Sequence, residues 1–187
     1  AKQARDRERQ AVLPLRGKIL NVANASSQKL SQNQLLSDLV QALGVGTGTK
    51  YRDEDLRYER VIVMTDADVD GAHIASLLIT FFYTQMRDLI RQGHLYLAIP
   101  PLYKLTQGSK SEYARDDAHK DELMRTTFSG RGKIEISRFK GLGEMDASQL
   151  KETTMDPRKR TMLRVGINED EEGATSDIVE QLMGNKP

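Results

Sequence analysis

Cysteine is absent from the 187-residue chain, which excludes a disulfide framework, a thiolate zinc site and cysteine nucleophilic catalysis and fits a reducing compartment. Any metal site must use oxygen or imidazole ligands. No apolar run approaches the ~18 residues of a membrane span. The first ten residues, AKQARDRERQ, also lack the apolar centre of a signal peptide. These two absences predict a cytoplasmic protein with no membrane partner. Repeats and low-complexity tracts are missing too. What remains is an ordinary globular composition, 38% hydrophobic and 29% charged, in a chain long enough to bury roughly 70% of its unfolded surface.

The net charge of +1 conceals an uneven distribution. Residues 1–18 carry six basic and two acidic side chains, residues 131–164 nine and five, and residues 168–180 six acids and no base. A basic run is either a solvated face or a nucleic-acid footprint, and charge alone does not decide between them.

Hydrophobic spacing predicts a helix from Leu30 to Leu43, opened by a Ser31/Gln34 capping box and stopped by Gly44. The GVGTGT stretch at 44–49 follows a helix, so it reads as a loop and not as a phosphate cradle. Val61–Met64 is a short β-branched run of the kind buried on both faces of a parallel sheet. Ile74 to Ile90 keeps helical spacing, in a helix starting near Gly71, until Gly93 ends it. Leu95–Ile99 is a second apolar strand, stopped by Pro100 and Pro101. Strand, helix, strand predicts a βαβ unit with a right-handed crossover. Beyond it the pattern predicts smaller mixed structure: strands at Leu102–Leu105, Lys133–Ile136 and Met162–Ile167, and helices at Asp117–Thr126, Asp146–Thr153 and Thr175–Met183.

The segment VIVMTDADVDGAH, residues 61–73, places Asp66, Asp68 and Asp70 directly after the first strand. Ligands bind at the carboxyl ends of strands in parallel α/β sheets. Three carboxylates within five residues repel one another, and a hard divalent cation such as Mg²⁺ relieves that repulsion. The alternative is a solvated acidic loop that caps the following helix, whose dipole favours carboxylates. An EF-hand is rejected: the position that should hold a bidentate Glu is Leu77, and a strand precedes the loop where a helix should. A haloacid-dehalogenase-type phosphatase also runs from an apolar strand into Asp-x-Asp, with the first Asp as nucleophile. It needs a later acidic pair at a strand end, and Asp116-Asp117 follows no apolar strand.

Five segments in order, PLRGKILNV at 14–22, TDADVDGAHI at 65–74, GHLYLAIPPLYKL at 93–105, RFKGLGEM at 138–145 and QLKETTMDPRKRTMLRV at 149–165, resemble the B subunit of bacterial type IIA DNA topoisomerases. Within that family the likeness is greatest to topoisomerase IV B subunits, with gyrase B subunits second. The resemblance implies an α/β, Toprim-type (Rossmann-like) fold: a parallel sheet with flanking helices and a smaller mixed α+β tail. It implies a Toprim core over residues 1–105, its first strand lying upstream, and the rest of the domain with its tail over 106–187. The function implied is Mg²⁺-dependent cleavage and religation of double-stranded DNA by an ATP-dependent enzyme that changes topology and decatenates chromosomes; the alternatives are negative supercoiling by a gyrase and a non-catalytic DNA- or subunit-binding module whose acidic turn only organises structure.

Position by position, the resemblance makes Asp66 the carboxylate shared by two Mg²⁺ sites, where Mn²⁺ or Ca²⁺ can substitute. Asp68 becomes the ligand of the second site and Asp70 an outer ligand. Arg16, Lys18, Asn21, His73 and Lys140 become DNA contacts, with Gly17, Gly141 and Gly143 permitting close backbone approach. For His73 the alternative is a local hydrogen bond at a helix start, and for Gly141 and Gly143 a turn. No catalytic residue is assigned within the chain. The family's acid/base Glu, in a Glu-Gly-Asp-Ser motif, and its ATP-binding region are expected upstream of Ala1. The nucleophilic tyrosine belongs to a ParC-like A subunit in a heterotetramer. The isolated piece is therefore expected to be inactive, and the parent enzyme bacterial, cytoplasmic and nucleoid-associated.

Overall fold

The computed structural model describes residues 1–15, 19–24, 27–128, 130 and 132–168; the helix expected at Thr175–Met183 lies outside them. Two compact units share the chain. One takes Leu13–Val63, His73–Leu97 and the described residues from Leu163; the other takes Ala1–Val12, Met64–Ala72 and Ala98–Met162.

In the first unit the expected single helix at 30–43 is two, α1 (Ser27–Gln32) and α2 (Gln34–Leu43). Asn33 interrupts them with extended backbone and accepts the Leu36 N–H, so Asn33, and not Ser31, is the N-cap. An Asn side chain can satisfy an otherwise orphaned helix donor, which makes the break locally favourable. Leu36, Leu39 and Leu43 bury one face of α2. Gly44 ends it at φ 79°, the left-handed conformation that glycine adopts without penalty.

β1 (Val61–Val63) and β2 (Leu95–Ala98) pair in parallel, Val61 opposite Leu95 and Val63 opposite Leu97. Between them run α3 (Val69–Gln85) and α4 (Arg87–Arg91). The βαβ order is as expected, but its helix starts earlier than Gly71 and breaks at Met86, whose φ of −141° is not helical. Periodicity conceals that break because Phe81, Phe82, Met86, Leu89 and Ile90 are buried on both sides of it. Gly93, at φ 78°, closes the segment by donating its N–H to the Ile90 carbonyl. β6 (Met162–Arg164), shorter than the expected Met162–Ile167, completes the sheet in the order β1–β2–β6. Because β1 ends this sheet among the described residues, Val63 is its only fully buried residue, contrary to the expectation of burial on both faces.

The second unit holds an antiparallel sheet, β4–β3–β5, with β3 at Tyr103–Gln107, β4 at Lys110–Ala114 and β5 at Glu135–Arg138. β3 and β5 sit one to two residues later than expected. β4 has no apolar signature in the sequence, since KSEYA buries only Ala114 fully. A two-residue turn with Gly108 at φ 61° joins β3 to β4, the first-position glycine that a type II′ hairpin requires. α5 (Asp117–Thr126) has the expected bounds and is capped by Asp116, whose carboxylate accepts the His119 N–H. The expected helix at 146–153 is α6 (Ala147–Leu150), opened by an Asp146/Gln149 capping box and continued by a π turn, Lys151–Met155. Tyr103, Leu105, Ala114 and Phe128 form one core; Ala4, Phe139, Met145, Leu150 and Met155 form another. Among the described residues no helix is long and apolar enough to cross a membrane.

Candidate functional site

Asp66, Asp68 and Asp70 follow β1 and are all exposed. Asp68 stands at the position before α3. Its Oδ1 accepts the Gly71 N–H at 2.7 Å and its carbonyl accepts the Ala72 N–H at 3.0 Å, so it is the N-cap of the helix. Asp70 lies in the first turn, where the helix dipole favours a carboxylate. The capping alternative raised by the sequence therefore describes Asp68 and Asp70 structurally.

Asp66 has a different partner. Its Oδ1 accepts the Leu142 backbone N–H at 2.7 Å, across 76 positions of sequence. The TDADVDG turn and the RFKGLGEM loop thus meet within one unit. Gly141 allows this approach, and Gly71 lets the start of α3 pack on the Asp66 backbone. A Cβ on Gly141 would lie 2.8–2.9 Å from the three carboxyl atoms of Asp66, and one on Gly71 would lie 2.0 Å from the Asp66 carbonyl oxygen. Gly141 therefore makes room for Asp66. Gly143 meets nothing within 4 Å.

The loop is closed on itself. Glu144 Oε2 accepts the Lys140 N–H at 2.8 Å, the Glu144 N–H reaches Gly141 O at 3.2 Å, and the Met145 N–H reaches Leu142 O at 3.3 Å. Phe139 and Met145 anchor its ends in the core. The Lys140 side chain is exposed. Sequence reasoning missed both Leu142 and Glu144. Leu142 acts through its backbone, which has no side-chain signature; Glu144 could have been suspected from a carboxylate four residues after Lys140.

Of the expected DNA contacts, Arg16 and Lys18 lie outside the described residues, as does Gly17. Asn21 is exposed in the other unit, where its Oδ1 accepts the Ala23 N–H at 3.1 Å. His73 is exposed on α3, also in that unit.

Among the described residues, no three His, Cys, Asp or Glu side chains converge to hold a metal. All three carboxylates are exposed to solvent, and Asp66 and Asp68 each accept one backbone N–H. The donor set still fits a hard divalent ion that keeps most of its waters: Asp66 and Asp68 are exposed oxygen donors, and each commits Oδ1 to one N–H, leaving Oδ2 for coordination. The acidic pair needed by a phosphatase is employed elsewhere. Asp116 caps α5, and Asp117 accepts the Tyr103 hydroxyl at 2.7 Å and Lys120 Nζ at 3.0 Å. These two donors hold the Asp117 carboxyl below the usual carboxylate range.

The family model described as "Toprim domain" matches residues 1–99, and that described as "DNA gyrase B subunit, carboxyl terminus" matches residues 131–187. The first match covers more than half of the chain, and the chain belongs to the Toprim domain family. It is 68% identical over 187 residues to the B subunit of DNA topoisomerase 4 from Bartonella bacilliformis and 70% identical over 187 residues to that from Caulobacter vibrioides. Each alignment covers 100% of this chain and 27% of the relative. Identity to the B subunit of DNA gyrase from Thermotoga maritima is 52% over 188 residues, covering 100% of the chain and 29% of that relative. The chain thus spans between a quarter and a third of the length of these relatives.

Proposed function

We propose that this chain is the metal- and DNA-binding part of an ATP-dependent type IIA DNA topoisomerase, within its topoisomerase IV B subunit, supporting cleavage and religation of duplex DNA. The observation that carries the reading is the bond from the Leu142 N–H to Asp66, which joins the two motifs of the site. The greater identity to topoisomerase 4 than to gyrase relatives favours decatenation over supercoiling. A gyrase B subunit is the second reading.

When bound at Asp66 and Asp68, Mg²⁺ supplies charge stabilisation at the scissile phosphate and the leaving oxygen. The chain's own residues do the positioning. Leu142 fixes the rotation of the Asp66 carboxylate, and the α3 cap fixes Asp68. Arg16, Lys18 and Lys140 neutralise backbone phosphates, while Asn21 and His73 offer directed donors; such contacts set register and not base sequence. The nucleophilic tyrosine comes from a ParC-like A subunit in a heterotetramer. No residue of this chain is assigned the acid/base role or the binding of ATP. A bacterial, cytoplasmic, nucleoid-associated location accompanies this role.

The test is plasmid cleavage by the reconstituted heterotetramer. Asp66→Ala abolishes cleavage, whereas Asp70→Ala reduces it less, because a shared ligand contributes more charge stabilisation than an outer one. Equal and negligible losses from both would overturn the reading.

A further inference from the structure

The loop that holds Asp66, anchored in the core at Phe139 and Met145, is braced between those ends by one exposed carboxylate. Its main-chain closures are long, 3.2 Å from the Glu144 N–H to Gly141 O and 3.3 Å from the Met145 N–H to Leu142 O. Its short closure is the 2.8 Å bond from the Lys140 N–H to Glu144 Oε2. A hydrogen bond to an ionised acceptor is roughly twice as strong as a neutral one. The carboxylate therefore contributes most to the shape of the turn. That turn contains the peptide whose N–H, on Leu142, reaches Asp66 Oδ1 at 2.7 Å. Glu144 is exposed, so packing does not account for its conformation.

We infer that Glu144 is a positioning residue for the metal site: by bonding the Lys140 N–H it orients the Leu142 N–H, which in turn fixes the Asp66 carboxylate for coordination. The inference rests on the metal reading of Asp66. Without the brace, the Gly141–Leu142 peptide can rotate away, and Asp66 must lose side-chain freedom when it ligates. Outer partners of ligands typically account for 10–100-fold in metal affinity. An exposed brace acting through one backbone peptide belongs at the low end.

The experiment uses the intact B subunit and Mn²⁺ as the probe, titrated by electron paramagnetic resonance, with hydrogen exchange of the peptide spanning 139–145 as a metal-free readout. Glu144→Ala is expected to weaken Mn²⁺ binding about tenfold and to speed exchange in that peptide. Glu144→Gln keeps an oxygen acceptor for the Lys140 N–H but not its charge and is expected to fall between the parent and Glu144→Ala in both. If Glu144→Gln loses as much affinity as Glu144→Ala, Glu144 contacts the ion itself and the positioning role is wrong. Unchanged affinity in Glu144→Ala, with Asp66→Asn abolishing binding, overturns the positioning role alone. If Asp66→Asn leaves Mn²⁺ affinity untouched, the metal reading fails and the positioning role falls with it.

Discussion

Gly71→Ala sets two opposed effects against each other at a single methyl group. Gly71 is the third residue of α3, and alanine in a helix is ordinarily more favourable than glycine by about 1 kcal/mol. Here the added Cβ would lie 2.0 Å from the Asp66 carbonyl oxygen, 2.8 Å from its carbon and 3.0 Å from its nitrogen. All three are backbone atoms, so no side-chain rotation relieves the overlap. Either the helix start or the Asp66 peptide must move by more than about 1 Å to reach ordinary contact, and forced repacking of this kind costs about 1–3 kcal/mol. The same movement disturbs the Gly71 N–H that caps onto Asp68. An overlap to 2.0 Å with backbone atoms places the steric cost in the upper part of that range, about 2–3 kcal/mol, so it exceeds propensity and the net expectation is a loss of about 1–2 kcal/mol. Urea denaturation reads this directly, with Gly143→Ala as the control, because its Cβ would meet nothing within 4 Å. A Gly71→Ala protein as stable as the parent would refute the argument that close packing on Asp66 dictates glycine at this position.

Asp68 separates its two roles by chemistry: Asp68→Asn retains a capping oxygen and stays within a few tenths of a kcal/mol of parental stability, whereas Asp68→Ala loses about 1 kcal/mol with the cap. Both should weaken Mn²⁺ binding, so equal stability of the two variants would contradict the capping geometry. Asp117 gives a pH signature. Its carboxyl is held low by the Tyr103 hydroxyl and then by Lys120, so the stabilisation is present above the ordinary aspartate range and disappears as pH falls through the lowered value. The stability difference between the parent and Tyr103→Phe should therefore be seen at neutral pH and shrink below about pH 4; a difference constant from pH 7 to pH 3 would contradict it.

What the sequence made legible followed local chemistry. Gly44 and Gly93 end their helices in the left-handed backbone expected of them, and α5 has the bounds read from Asp117–Thr126. The errors have physical causes. A helical break at Met86 leaves the apolar spacing intact. An Asn at position 33 competes with a helix that the leucines on either side would continue. β4 is held by pairing with β3 and not by its own burial. At the site, the aspartates were visible as a motif, but the donor that orients Asp66 was not. A peptide N–H is common to every residue except proline, so only the folded chain reveals which one is used. Gly141 illustrates the converse. Read as a place for DNA to approach, it is the place where the loop itself approaches Asp66.

The contact between Asp66 and Leu142 also has a kinetic meaning. It closes a span of 76 residues, and contacts between distant positions form after local ones because the entropy of closing the intervening chain must first be overcome. The α2 cap, the β3–β4 hairpin and the α6 capping box all lie within a few positions of sequence and can form early. Asp66 is oriented only when the chain through Leu142 has been made and folded. A nascent or truncated chain ending before that loop carries the acidic turn but not the donor that aims it, so orientation of Asp66 waits on the synthesis and folding of the loop.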